Sequence, residues 1–146
     1  MNRERKREWE DVTNRRRDFY VYEAAVAAIA VGGAANDTIN IEADSDFILQ
    51  KLTYYADIAG AAQTHGARIV PNVSIQITDT GSGRQLMQAP IPVAAMFGTG
   101  SLPFILPNPR LFMRNSTIQI AFTSFEAVIT PDVLLAFIGY KVYGTA

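Results

Sequence analysis

Asp132-Val-Leu-Leu-Ala-Phe-Ile-Gly-Tyr-Lys-Val-Tyr143 is the stretch on which the fold turns. It is dense in β-branched and aromatic residues, contains no proline, and has a single internal glycine. Val133, Leu135 and Phe137 alternate onto one face, and Leu134, Ala136 and Ile138 onto the other. A strand apolar on both sides is expected at the centre of a sheet, covered on both faces. Gly139 interrupts the run where a bulge or a close backbone approach is expected. A matching segment lies just upstream, Ser116-Thr-Ile-Gln-Ile-Ala-Phe122, with Ile118, Ile120 and Phe122 on one face. Joined through Ser124 to Pro131, the two read as the antiparallel heart of an all-β domain.

The same period-two signal recurs outward from there. Val73-Ser-Ile-Gln-Ile-Thr-Asp79 alternates most cleanly, Thr80-Gly-Ser-Gly83 supplies a hairpin connection, and Arg84 to Gln88 returns from it. Thr38 to Glu42 and Phe47 to Ala56 read as two more strands, with turns at Asn36-Asp37 and at Ala43 to Asp46. Phe19 to about Ile29 is ambiguous, since Phe19-Tyr-Val-Tyr22 favours strand while Ala24 to Ala30 has high helix propensity. Strand is the favoured reading, ended by Gly32-Gly33. Ile58 to Arg68 reads as an exposed loop. Pro90 and Pro92 are expected to end the ladder, and Phe104 to Arg114, with Pro107 and Pro109, to be part edge strand and part loop. About eight short strands joined by long, irregular crossings imply a jelly-roll-like antiparallel β-sandwich.

A chain of 146 residues suits one domain, and 49% hydrophobic against 18% charged residues marks it as globular. It has no cysteine, and its formal net charge of -1 gives no general attraction to nucleic acid or membrane, so neither is expected as a partner. Charge is nevertheless uneven: residues 1–18 hold seven Arg or Lys against five acids, and residues 19–146 hold six against nine. The mixed charges of the first segment, and the shortness of Ala24 to Val31, fit neither an export signal nor a spanning helix. The expected organisation is a charged N-terminal arm over 1–18 followed by the β-sandwich over 19–146, made in the cytosol.

The arm offers only Trp9 and Val12 to a core, so it either frays into solvent or, as the favoured reading, lies on a partner. Trp9 would be the apolar anchor, and Arg3, Arg5, Lys6, Arg7, Arg15, Arg16 and Arg17 would pair with acidic groups. The apolar crowd Leu102, Phe104, Ile105, Leu106, Leu111 and Phe112 suggests either a segment that caps one end of the sandwich or a second contact region. Leu102, Phe104 and Phe112 are taken as its contact residues, because proline-fixed chain loses little entropy on docking.

Signatures of chemistry are missing. His65 stands alone in a glycine-rich loop, without the partners of a metal site or a triad. Asp44-Ser-Asp46 lacks the glycine and distal glutamate of a calcium loop, and Thr80-Gly-Ser-Gly83 lacks the Gly-Lys-Ser/Thr of a phosphate loop. No enzyme activity, cofactor or metal is expected.

Several segments carry a likeness: Ile41 to Phe47, Ile77 to Arg84, Phe97 to Gly100, Pro107-Asn-Pro-Arg110, Arg114-Asn-Ser116 and Phe137-Ile-Gly-Tyr-Lys141. Over residues 19–143 this succession resembles the small jelly-roll cement or decoration proteins of tailed bacteriophages. The resemblance implies a virion structural protein on the outside of a capsid shell. Its partners would be the major capsid protein and further copies of itself, as a homodimer or homotrimer. The alternative is a tail, fibre or baseplate module that binds a host glycan or attachment partner, for which Tyr54, Tyr55, Tyr140 and Tyr143 are available.

Overall fold

In the computed structural model, which describes residues 16–60 and 68–144, the alternating runs become nine strands and one short helix. They are β1 (Arg17–Val26), β2 (Ala34–Asn40), β3 (Asp46–Ile58), β4 (Val73–Asp79), β5 (Arg84–Gln85), β6 (Ile91–Pro92), α1 (Val93–Met96), β7 (Phe104–Phe112), β8 (Thr117–Ser124) and β9 (Pro131–Val142). One sheet has the order β1-β9-β3-β7, the other β2-β8-β4-β5 with β6 also on β4. Every ladder is antiparallel. The pairs nest, β1 with β9, β2 with β8, β3 with β7, β4 with β5, as in one long hairpin rolled on itself. That is the jelly-roll form of an all-β sandwich, as the alternation implied.

The core lies between the sheets. Phe47, Leu49, Leu52, Phe112, Leu135 and Phe137 from the first sheet meet Ile75, Ile77, Ile118, Ile120 and Phe122 from the second, all of them buried. Each such side chain contributes about 1.5–3 kcal/mol relative to exposure. In β1, Tyr22 and Ala24 alternate into this core, and strand prevails over the helix propensity of the alanines. The strand stops at Val26; Ala28, with φ of 48°, turns the chain, and its N–H donates to Asp132 Oδ1 at 2.7 Å.

Several sequence expectations are corrected. β8 and β9 do not pair: each is a central strand of its own sheet, and residues 125–130 cross between the sheets. β9 is central, but only one of its faces is in the core. Val133, Leu135 and Phe137 are buried there, while Leu134, Ala136, Ile138 and Tyr140 on the other face are only half-buried. Asn36 and Asp37 lie within β2 rather than in a turn; the turn is at Gly32, where φ is 64°. Past the hairpin, β5 is two residues long, and Pro92 rejoins the ladder opposite Ser74. Arg17 and Asp18, placed in the arm on composition, are the first residues of β1. Gly139 sits where expected: it faces Leu49 beside the register shift at Leu49/Lys51, and a Cβ there would strike the Ile48 carbonyl.

Candidate functional site

Cross-strand register builds the most unusual surface of the molecule, the outer face of the β1-β9-β3-β7 sheet. Partners in antiparallel ladders share a face, so side chains line up in rows across all four strands. One row is Phe19, Tyr140, Ile48, Leu111, and the next is Val21, Ile138, Lys51, Ile105. The rows end in exposed apolar groups: Phe19 is 69% exposed, Ile105 63%, Leu111 51% and Val21 41%. Together with half-buried Ile48, Ile138 and Tyr140 they form a contiguous apolar patch, the kind of surface that marks a contact site. Lys51 is the one charge within these two rows.

The opposite outer face is chemically different. On the β2-β8-β4-β5 sheet, Asn36, Thr38, Gln76, Thr78, Gln85 and Gln119 surround a shallow depression of about 530 Å³. Amides and hydroxyls of this kind stay hydrated at little cost, whereas the first face exposes hydrocarbon to water.

Four ion pairs, centred on Lys141, Asp79 and Asp46, gather at one end of the sandwich, and the Asp79–Arg110 pair joins the two sheets. Lys141 points inward from β9, is 4% exposed, and donates to Glu42 Oε2 and, at 3.4 Å, to Asp44 Oδ1. Its ammonium also lies 4.1 Å from the centroid of the Tyr20 ring. Burial alone works to lower its pKa. The hydrogen bond to Glu42, with Tyr22, Glu42 and Asp44 close by, outweighs that and raises the pKa above the ordinary lysine value. Asp79, buried at the end of β4, accepts from the Gly81 N–H and Ser82 Oγ at 3.0 Å each and from Arg110 Nη2 at 3.3 Å. Asp46 accepts from Arg114 through its backbone N–H at 2.9 Å and its Nε at 3.2 Å.

The other end is different again. Asp57, 4% exposed, lies directly opposite Asp132 in the β3–β9 ladder. Burial, the neighbouring Asp132 charge and a hydrogen bond between the two carboxyls push the Asp57 pKa above the usual carboxylate value. Nearby, a cleft of about 630 Å³ is lined by Tyr54, Tyr55, Arg68, Ile69, Thr99 and Ser101. The Arg68 guanidinium stacks 5.3 Å from the Tyr55 ring centroid.

The residues expected to bind a partner fall into three groups. Arg3, Arg5, Lys6, Arg7, Trp9 and Arg15 lie outside the described residues, as does His65. Arg16 and Arg17 are exposed; Arg16 pairs with Asp18 at 3.2 Å and stacks 5.2 Å from the Tyr143 ring centroid. Leu102, just before β7, is 80% exposed, and Phe104, at the start of β7 opposite Leu52, is 36% exposed. Phe112 is corrected: it is fully buried opposite Phe47, because at its position in β7 the alternation turns it into the core. Phe19 and Val21 were not singled out as contact residues. Their signal was the odd-numbered apolar series of β1, whose outward direction emerges only once Tyr22 and Ala24 are known to face inward.

Comparison with family models, with curated proteins and with solved structures finds no match.

Proposed function

We propose that this protein is a virion structural protein, a cement or decoration protein that binds and stabilises the outside of a tailed-phage capsid shell. The observation that supports the reading is the contrast between the two outer faces. Hydrocarbon on one sheet and hydrated amides on the other suit a molecule with one side on a protein surface and one side in water. The apolar rows ending in Phe19, Val21, Ile105 and Leu111 contact the major capsid protein, and the basic residues of the N-terminal segment add charge pairs around them. The resemblance of residues 19–143 to phage cement proteins supplies the identity of that surface. Copies of the protein associate as homodimers or homotrimers, and the protein resides on the capsid surface.

The test is decoration of emptied capsids by purified protein. Ile105→Glu and Leu111→Glu place charge on the apolar face without touching the core, and each is expected to weaken attachment at least tenfold. Gln119→Glu on the polar face is expected to change little. Equal effects from both faces would sink the reading.

A second reading has its own observation. The cleft with Tyr54, Tyr55 and Arg68 combines aromatic rings, a guanidinium and the hydroxyls of Thr99 and Ser101, which suits a glycan on a tail, fibre or baseplate module. Binding on a glycan array that is lost in Tyr55→Ala would favour it over the shell.

A further inference from the structure

The outer edge of β1 carries hydrogen-bonding groups that no described residue takes up. The Arg16 carbonyl accepts from the Tyr143 N–H at 3.0 Å, so even-numbered residues of this strand turn their backbone groups towards β9. By alternation, Arg17, Phe19, Val21, Glu23 and Ala25 turn theirs away from it. The Ala25 N–H agrees, since it donates outward to Asp37 Oδ2 at 2.8 Å. Among the described residues nothing takes the N–H and C=O groups of Arg17, Phe19, Val21 and Glu23, and all four side chains are exposed.

The β7, β5 and β6 edges are blunted. β7 contains Pro107 and Pro109, which have no N–H to offer, and β5 and β6 are two residues each. On β2, the Asp37 carboxylate takes the Thr38 N–H at 2.8 Å. The outward groups of Ala34, Asn36 and Asn40 on β2 are likewise taken by no described residue, so what sets β1 apart is that its open groups flank exposed apolar side chains, Phe19 and Val21.

We infer that β1 pairs antiparallel with β1 of a second copy, about a two-fold axis at Tyr20, so that two four-stranded sheets become one of eight. The side chains select this register. With Tyr20 opposite its own copy, Arg17 faces Glu23 of the second copy and Phe19 faces its Val21, and each pair occurs twice by symmetry. Opposite charge meets opposite charge, and apolar meets apolar. A shift of two residues one way sets Phe19 against Glu23; the other way sets Arg17 against Val21. A shift of one residue opposes the outward groups of one strand to the inward groups of the other and loses the ladder. In the matched register about eight backbone hydrogen bonds form, two per facing pair. The Asp37 carboxylate on the Ala25 N–H ends the ladder beyond Glu23. The apolar rows of the two copies then run into one another across the joint. This pairing goes beyond attachment to a shell, because it is complete in the free protein.

Light scattering and sedimentation of the full chain at micromolar concentration read it directly, with twice 16.0 kDa expected. Val21→Pro removes only an outward N–H and leaves the β1–β9 ladder whole, so a folded monomer is expected. Arg17→Glu and Glu23→Arg are each expected to raise the dissociation constant roughly tenfold, and the double exchange to restore it. Because the chain has no cysteine, single variants report register: Tyr20→Cys should form a disulfide dimer on mild oxidation, and Phe19→Cys and Val21→Cys should do so far less. Should Val21→Pro fail to fold, the charge exchange decides, and absence of rescue overturns the pairing. A monomeric full chain, or a dimer untouched by all these changes, overturns it equally. A dimer that appears only after deletion of residues 2–15 would assign the edge to the chain's own N-terminal segment. Dimerisation without capsid binding, or the converse, separates this inference from the proposed function.

Discussion

Asp57 and Asp132 face each other across β3 and β9, and the folded chain resists ionising both. A carboxyl whose pKa is raised by folding holds its proton in the native state where the unfolded chain has released it. Stability therefore falls as pH rises from the ordinary value, near 3.8, through the folded one. Asp57→Asn removes the conflict. It is expected to raise the thermal midpoint at pH 7 and to flatten its dependence between pH 4 and 7, as followed by circular dichroism. Lys141 acts at the other extreme. Its folded pKa is raised, so its contribution is whole below about 10.5 and is lost as pH climbs past it. Tyr22 is shifted upward, chiefly by burial, and works in the same direction above about 10. Thermal melts from pH 8 to 11.5 should fall steeply at the top of that range, and Lys141→Met should make the fall shallower. For Asp79, removal of the carboxylate in Asp79→Ala strands the Arg110 charge and is expected to cost roughly 3 kcal/mol in denaturant unfolding.

At the scale of elements, alternation made β3, β4, β8 and β9 legible within a few residues, because period two is a direct consequence of one buried face. What alternation does not carry is which strand lies beside which. β8 and β9 look like a hairpin along the chain, and the residues between them instead carry it from one sheet to the other. The segments that suggested phage cement proteins turn out to hold the ends of the roll together. Glu42 and Asp44 bind Lys141, Asp79 and Ser82 bind Arg110, and Asp46 binds Arg114. They were visible as turn punctuation, but their pairing across 28 to 99 positions was not. The exposed apolar face was half legible: Ile105 and Leu111 stood out in a proline-rich segment, while Phe19 and Val21 read as ordinary strand residues. Gly139 gives the element-level test. A methyl group there meets the Ile48 carbonyl beside the β3 bulge, so Gly139→Ala is expected to cost about 3 kcal/mol or to prevent folding, as read by urea denaturation.

At the scale of the whole molecule, the two outer faces and the charge imbalance along the chain act together. Over half of the basic side chains precede residue 19, while the sandwich itself has more acids than bases. Deleting residues 2–15 is expected to leave the thermal midpoint nearly unchanged, since the described core begins with β1. The same deletion should weaken attachment to emptied capsids and reduce its dependence on salt, because exposed charge pairs are screened. Unchanged affinity at both low and high salt would remove the N-terminal segment from the contact.

The position of β9 has a consequence for how the protein is made. A ribosome delivers β1 and β3 early, yet the strand that lies between them is the last of the nine to emerge. At roughly 5–20 residues per second, the first sheet spends several seconds of synthesis without its centre. During that interval the inner faces of Tyr22, Leu49 and Leu52 have no finished layer to enter. Protease added to ribosome-stalled chains of this sequence should cut β1 and β3 freely, whereas the released chain should resist it.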